Sequence, residues 1–185
     1  MAEPVKILGL CGSLRAGSYN RAALRAALEL APEGVQMRTA EIGDLPLYND
    51  DVRAAGLPPA VQDFAADLAW AEAFMFVTPE YNYSVPGVLK NAIDWGSRLT
   101  PQPFAGKAAA VMGASPGLLG TVRAQYHLRQ IGVFVDLQFI NRPEVMIAQA
   151  AAKFDAEGRL TDAPTREFVA KLVAALRDFA LRLRG

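Results

Sequence analysis

The chain has 185 residues, 52% of which are hydrophobic, and its nineteen Lys and Arg residues are balanced by nineteen Asp and Glu residues. This length favours a single folded domain that spans residues 1–185 and has a sizeable core. The balance of charge gives no basic excess for binding nucleic acid or an anionic membrane, and no apolar stretch is long enough to span a bilayer, so we expect a cytoplasmic protein.

Apolar runs of strand length alternate with segments of helical spacing along the first half of the chain. A continuously apolar run of this kind is typical of a strand buried in a parallel sheet. The predicted elements are, in order, a strand at Val5–Cys11, a helix at Asn20–Ala31, a strand at Val35–Glu41, a loop at Ile42–Arg53, a helix from Pro58 to Trp70 and a strand at Ala73–Thr78.

The same alternation continues to the end of the chain. The elements predicted here are a helix through Lys90 and Trp95, a strand at Lys107–Ala114, a Gly/Pro loop at Ser115–Gly120, a helix from Thr121 to Ile131, a strand at Val133–Ile140, an irregular stretch at Asn141–Thr161 and a helix that Asp162 caps and that ends near Arg184. Five strands that alternate with helices predict an α/β protein with a doubly wound parallel sheet and right-handed crossovers.

In such a sheet, ligands bind beyond the carboxyl ends of the strands, near the point where the strand order reverses. The loops after the first, third and fourth predicted strands are the richest in polar and glycine residues, and all three lie at this edge. We therefore expect them to converge on one ligand, with a phosphate in the first loop and a flat ring system against the other two.

The loop from Gly12 to Asn20 is the basis of the phosphate prediction. It joins a strand to a helix, so an anion placed there meets free N–H groups and the positive end of the helix dipole. The side-chain donors in the loop are Ser13, Arg15, Ser18 and Asn20. The alternative interpretation is an ordinary strand-to-helix turn with a capping serine.

Two nucleotide-binding motifs do not fit this loop. The spacing from Gly12 to Gly17 matches the first half of a Walker A motif, but Ser18 and Tyr19 follow where Lys and Ser or Thr are required. The separations of Gly9, Gly12 and Gly17 also differ from those of the dinucleotide fingerprint. A terminal phosphomonoester is therefore the better ligand.

A second motif, TPEYNYSVPGVLKNAIDW at Thr78–Trp95, follows the third predicted strand. Together with the loop Gly12–Asn20, and with Tyr126–Gln130, it resembles the NAD(P)H-dependent FMN reductases of flavodoxin-like fold, most of all their bacterial quinone and chromate reductase branch. The resemblance implies a flavodoxin-like, doubly wound, five-stranded parallel sheet of order 2-1-3-4-5 with helices on both faces. It also implies that residues 1–185 form a single FMN-binding reductase domain.

The resemblance further implies which residues contact FMN. Donors of the first loop hold the phosphate, the segment after the third strand wraps the edge of the ring, and the loop after the fourth strand closes its far side. The implied contact residues are Ser13, Arg15, Ser18, Tyr19, Asn20, Pro79, Glu80, Tyr81, Asn82, Ser115 and Gly117. Tyr83 is either a flavin contact or a wall residue. One departure from the family is Thr121, where a second glycine often follows Gly120.

By the same resemblance, the protein transfers a hydride from NADPH or NADH to bound FMN. It then passes two electrons to a quinone, chromate, an azo compound or free flavin by a ping-pong mechanism. This chemistry needs no protein nucleophile and no metal, because the cofactor carries the electrons, and one Cys and one His offer no ligand cluster. The family also implies a homodimer or homotetramer whose contacts border the flavin, with Arg123, Tyr126 and Glu144 as candidates.

Two other functions fit parts of the sequence. Gly113–Gly117 matches the nucleophile elbow of hydrolases, but Pro116 has no N–H for an oxyanion hole, and no acid lies between Ser115 and the only histidine, His127. A non-enzymatic electron carrier of flavodoxin type shares the fold and the cofactor. Such carriers profit from a strongly acidic surface when they dock on basic partners, whereas this chain is neutral.

Overall fold

The computed structural model describes residues 3–184, which contain six strands and six α-helices. The strands are β1 (Val5–Cys11), β2 (Val35–Ala40), β3 (Ala73–Val77), β4 (Ala108–Ala114), β5 (Gln138–Phe139) and β6 (Val145–Ile147). The helices are α1 (Tyr19–Glu29), α2 (Asp50–Ala54), α3 (Pro59–Trp70), α4 (Gly87–Gly96), α5 (Val122–Phe134) and α6 (Ala163–Leu183). Within residues 3–184, none of the helices combines the length and the hydrophobicity that a membrane crossing requires.

The strands form one parallel sheet of order β2-β1-β3-β4-β5, which confirms the flavodoxin-like order predicted from the sequence. Every residue of β3 and β4 is buried, as expected for unbroken apolar runs that have helices on both sides. The chain order reverses between β1 and β3. The carboxyl ends of β1, β3 and β4 therefore meet at the crevice where ligands bind in sheets of this type.

Alternate residues of the strands pack into two separate cores. On one face, Val5 and Ile7 of β1 pack with α1 and α6. On the other face, Leu8 and Leu10 pack with α3, α4 and α5. Gly9 lets α1 approach the sheet closely, because a Cβ at this position would lie 2.6 Å from Leu24 Cδ1. Helices thus cover both faces of the sheet, as predicted.

The fifth strand is much shorter than predicted. The prediction of a strand at Val133–Ile140 was wrong at its start, because Val133 and Phe134 continue α5 and are each 80% exposed. Only Gln138–Phe139 pairs with β4. Apolar residues in the last turn of a helix cannot be distinguished from the start of a strand by their hydrophobicity alone.

The stretch predicted as irregular, Asn141–Thr161, contains β6 and a one-turn 3-10 helix at Ala150–Ala152. β6 pairs with the carboxyl end of β4, whereas β5 pairs with the beginning of β4, so two short strands share one edge. Ser115 N then donates a hydrogen bond to Ile147 O at 3.0 Å. The pairing with β6 therefore extends into the loop that follows β4.

The loop predicted at Ile42–Arg53 contains the short helix α2. Asn49 caps this helix, because its Oδ1 accepts a hydrogen bond from Asp51 N at 2.9 Å. Asn and Asp are favoured both in turns and at helix N-termini. The same residues that indicated a loop therefore begin a helix.

Candidate functional site

The loops that follow β1, β3 and β4 converge on one cleft at the carboxyl edge of the sheet. The cleft has a volume of about 160 Å³ and is lined by all of the predicted contact residues except Asn82 and Gly117. Its lining residues are Ser13, Arg15, Ser18, Tyr19, Asn20, Pro79, Glu80, Tyr81, Ala114, Ser115 and Pro116. Ala114 and Pro116 were not predicted, although their positions on either side of Ser115 could have indicated them.

The loop after β1 leaves a run of backbone donors without partners. The N–H groups of residues 13–17 and of Tyr19 have no hydrogen-bond acceptor among residues 3–184. Ser18 caps α1, because its Oγ accepts hydrogen bonds from Asn20 N at 3.1 Å and from Arg21 N at 3.3 Å. The capping serine and the anion site thus coexist: Ser18 begins the helix, and free donors precede it at the positive end of the helix dipole.

Arg15 adds a positive charge to this loop. The residue is exposed, and its guanidinium carbon lies 5.8 Å from the centre of the Tyr19 ring. In the part of the chain that the structure describes, no carboxylate lies within ion-pair distance of Arg15. The tyrosine ring therefore holds a cation at the cleft while leaving its hydrogen bonds available to an anion.

The loop after β3 is a tight hairpin. Tyr81 and Ser84 exchange two backbone hydrogen bonds of 3.0 Å each. Between them, Asn82 and Tyr83 have φ angles of 50° and 69°, as in a type I′ turn. Arg123 stacks on the Tyr83 ring, with its guanidinium carbon 3.8 Å from the ring centre. Asn82 therefore shapes the loop without itself lining the cleft.

The side chain of Glu80 joins this hairpin to the start of α5. Its Oε2 accepts hydrogen bonds from Arg123 N at 3.0 Å and from Ala124 N at 3.3 Å, and its Oε1 accepts one from Arg123 Nη1 at 2.5 Å. Burial alone would raise the pKa of Glu80, but the Arg123 guanidinium and the two N–H groups hold this pKa below its usual range. Glu80 thus caps a helix distant in sequence.

The sequence indicated that the start of α5 needs an acceptor, but not which residue supplies it. The first turn of α5 contains no acidic residue, and Thr121 makes no side-chain capping bond. The free N–H groups of such a helix start need acceptors from other side chains, from water or from a ligand. Glu80 was predicted at the flavin edge, and its contact with α5 was not predicted.

The loop after β4 is held by an internal hydrogen bond and by backbone hydrogen bonds to residues 147–150. Ser115 Oγ accepts one from Gly117 N at 3.0 Å. His127 Nδ1 lies 3.0 Å from Ser84 Oγ, so the histidine pairs with the hairpin after β3 and not with Ser115. The serine and histidine that a hydrolase would need are therefore not paired with each other.

Thr121, the departure from the family pattern, is fully buried beneath this loop. Its Oγ1 accepts a hydrogen bond from Gln125 Nε2 at 3.1 Å, and the same amide nitrogen donates to Val145 O at 3.0 Å. Thr121 also lies directly against Gly113, which has no side chain to oppose it. The threonine thus fills space below the loop and leaves Ser115 at the cleft.

Of the three residues predicted to join subunits, two contact each other. Tyr126 OH donates a hydrogen bond to Glu144 Oε1 at 2.9 Å, and both residues are exposed. Arg123 instead binds Glu80 and stacks on Tyr83. Arg123 thus contacts Glu80, which lines the cleft, and already has partners within its own chain.

Cys11 is enclosed at the end of β1, where its Sγ lies 3.7 Å from Ser13 O. Burial raises the pKa of the Cys11 thiol, which keeps the sulfur protonated and poorly nucleophilic. In residues 3–184, the His, Cys, Asp and Glu side chains form no group of three that could hold a metal ion.

Comparison with known proteins finds close relatives over the full chain. The sequence model of the NADPH-dependent FMN reductase family matches residues 5–152. The chain is 55% identical to an NAD(P)H-dependent FMN reductase of Pseudomonas aeruginosa, with 100% of both chains covered. It is 48% identical to an NAD(P)H:quinone oxidoreductase of Solanum tuberosum, covering 100% of this chain and 97% of that one. The solved structure of FerB, a flavoenzyme NAD(P)H:(acceptor) oxidoreductase from Paracoccus denitrificans, is similar with a TM-score of 0.87 at 36% identity, covering 96% of this chain and 98% of that one.

Proposed function

The chain belongs to the NADPH-dependent FMN reductase family, and we propose that it binds FMN, takes a hydride from NADPH or NADH and passes two electrons to quinones. Chromate, azo compounds and free flavin are further acceptors under this proposal. The names of the Pseudomonas aeruginosa and Solanum tuberosum relatives support it. We also propose that residues 1–185 act as one domain, and a cytoplasmic location stays a prediction.

The observation that carries this proposal is that the N–H groups of residues 13–17, beside Arg15, have no acceptor within the described residues 3–184. A phosphomonoester dianion would satisfy these donors and balance the arginine charge. The cleft of about 160 Å³ is smaller than the roughly 300 Å³ of the smallest typical ligand pockets. It therefore suits the phosphate end of FMN, with the ring against the loops after β3 and β4.

Each loop has its own part in this binding. The backbone of residues 13–17, with Ser13, Arg15, Ser18 and Tyr19, holds the phosphate, while the loops after β3 and β4 enclose the ring through Pro79–Asn82, Ser115 and Gly117. The N–H groups of Glu80 and Asn82 have no acceptor among residues 3–184 and can donate to the polar edge of the ring. When bound, FMN supplies the redox chemistry, which is hydride transfer from the nicotinamide and electron transfer to the acceptor. The protein binds, aligns the reactants and excludes water.

The purified protein offers a direct test of this function. Under anaerobic conditions, we expect NADPH or NADH alone to bleach the yellow flavin within seconds, and an added quinone to restore the colour. Initial rates with both substrates varied should give parallel double-reciprocal lines, since nicotinamide and quinone must use the same opening in turn. A yellow protein that neither nicotinamide bleaches would instead be an electron carrier of flavodoxin type.

Replacing Arg15 with alanine should weaken FMN binding roughly ten- to a hundredfold, because a hydrogen bond to a charged group contributes about 1.5–3 kcal/mol. Flavin fluorescence titration of the FMN-free protein measures this change. Arg25→Ala is the matched control, since Arg25 lies on α1 but donates to Gly158 O instead of lining the cleft. Equal FMN affinity in wild type and Arg15→Ala would place the phosphate elsewhere.

We further propose that the protein forms a homodimer or homotetramer around the cleft. Tyr126 is half exposed on α5 and hydrogen bonded to Glu144, and Leu118 and Leu119 add exposed apolar surface in the loop before α5. Sedimentation at micromolar concentration should therefore show no dominant monomer. Tyr126→Ala should shift the distribution towards smaller species and change the KM for quinone. A monodisperse wild-type monomer with full activity would refute this proposal.

A further inference from the structure

Asn20 links the beginning of α1 to the last residue of β4. Its Nδ2 donates a hydrogen bond to Ala114 O, and its Oδ1 accepts one from Ala114 N, both at 2.8 Å. Asn20 is only 4% exposed and Ala114 is also buried. The two bonds therefore form away from water, where an unpaired polar group is costly.

These bonds take the place of the backbone hydrogen bonds that β3 would make if it continued alongside Ala114. β3 pairs with β4 only as far as Val77 and Met112, and Pro79, which has no N–H, then leads the chain away. β6 covers the opposite edge of Ala114. An amide side chain has the same donor and acceptor as a peptide group. Asn20 therefore pairs a backbone segment that would otherwise be buried without partners.

We propose that Asn20 is a positioning residue that fixes the spacing between the phosphate-binding loop, Gly12–Ser18, and the loop after β4, Ser115–Gly120. Its two bonds connect the start of α1, which follows the first loop, to the end of β4, which precedes the second loop, and each loop supplies one part of the cleft. The amide oxygen and one amide N–H are already committed to Ala114. The role proposed for Asn20 acts through these two bonds, by the relative placement of the loops, and does not require its second amide N–H to contact phosphate.

This role rests on the proposed binding of FMN, and it differs from a direct phosphate contact in two measurable ways. Riboflavin has the ring of FMN but no phosphate, so a spacing role predicts weaker binding of both ligands when Asn20 is lost. A direct contact predicts weaker binding of FMN alone. The backbone of Ala114 also loses its partners whether or not a ligand is present. A spacing role therefore predicts a less stable FMN-free protein.

The experiment compares FMN-free wild type, Asn20→Ala and Arg15→Ala. Flavin fluorescence titration gives the Kd for FMN and riboflavin, and circular dichroism gives the Tm without ligand. We expect Asn20→Ala to raise the Kd for both ligands by similar factors, roughly tenfold each, and to lower the Tm. The control Arg15→Ala should weaken FMN only and leave the Tm unchanged. If Asn20→Ala weakens FMN alone with an unchanged Tm, or changes neither, the proposal is wrong.

Asn20→Asp provides a second variant should the alanine variant fail to fold. It keeps an acceptor for Ala114 N but places a carboxylate oxygen against Ala114 O. The ionised oxygen repels this carbonyl, whereas the protonated group can donate to it. The Tm deficit relative to wild type should therefore shrink as the pH falls through the pKa of the introduced carboxyl, and a deficit independent of pH would contradict the pairing. Failure of wild type to bind FMN would refute the proposed function, while the ligand-free Tm values would still test the link to Ala114.

Discussion

Replacing Gly113 with alanine should lower the free energy of unfolding by about 3 kcal/mol, near the upper end of the usual range for an added methyl group in a packed core. Gly113 is buried in β4, and a Cβ there would collide with Thr78 O and with Thr121 Oγ1. The first atom belongs to the backbone after β3, and the second to a buried side chain at the start of α5. Neither can move without displacing a loop of the cleft. Urea unfolding should show a lower midpoint with an unchanged m-value.

Gly87→Ala is the matched control for this substitution. Gly87 is the exposed first residue of α4, and an added Cβ meets no atom within 4 Å. We expect its free energy of unfolding to change by less than about 0.5 kcal/mol. Adding Thr121→Gly to Gly113→Ala should restore only part of the loss, because the Thr78 carbonyl remains in contact. A wild-type midpoint for Gly113→Ala would disprove the collision.

Replacing Glu80 with glutamine should lower the free energy of unfolding at pH 7 by roughly 2 kcal/mol, since hydrogen bonds to a charged group contribute about 1.5–3 kcal/mol. The carboxylate side chain is only 10% exposed and accepts bonds from the first turn of α5 and from Arg123. An amide keeps one acceptor oxygen but loses the charge that stabilises the helix N-terminus. Urea unfolding of the FMN-free protein measures the loss.

The contribution of Glu80 should also disappear in acid. Because its pKa is lower in the folded protein than its ordinary value, the stabilisation is complete above the unfolded pKa of about 4.3 and is lost as the pH falls through the folded pKa. The difference in unfolding free energy between wild type and Glu80→Gln should therefore be constant from about pH 7 to 5 and shrink below about pH 4.

Glu33→Gln serves as the control for this pH dependence. Glu33 is exposed, and its carboxylate has no partner among residues 3–184, so its replacement should change stability little at any pH in this range. If the Glu80→Gln difference stayed constant down to pH 3, the carboxylate would not be the group that stabilises the start of α5.

The central strands could be predicted from the sequence because each is a largely apolar run bounded by turn residues, whereas their order was implied by the resemblance to a flavodoxin-like family. The short strands that pair with the outer edge of β4 could not be predicted. β6 has three residues, and such a short strand depends on its neighbour more than on its own composition. It forms where β4 extends past β5 and offers unpaired backbone on the same edge. That extension is a property of the assembled sheet.

The lining of the cleft was largely predictable because the polar loops of a parallel sheet meet at one edge. The hydrogen bonds that hold those loops together were not predictable. Asn20 and Ala114 are 94 residues apart in the chain, and Glu80 and Arg123 are 43 apart. No periodicity or local motif reports such pairs. The resemblance implied that the side chains of Asn20 and Glu80 contact the ligand, but their observed hydrogen bonds are with the protein.

Helix α6 lies outside the segment that the family model matches, yet it completes one face of the sheet. It buries Val169, Leu172, Val173 and Leu176 in the core that also contains α1. During translation, β1, β3 and β4 are synthesised long before α6 exists. The part of their apolar face that α6 covers therefore stays exposed until α6 has left the ribosome, and exposed apolar surface of this kind makes a nascent chain prone to aggregation.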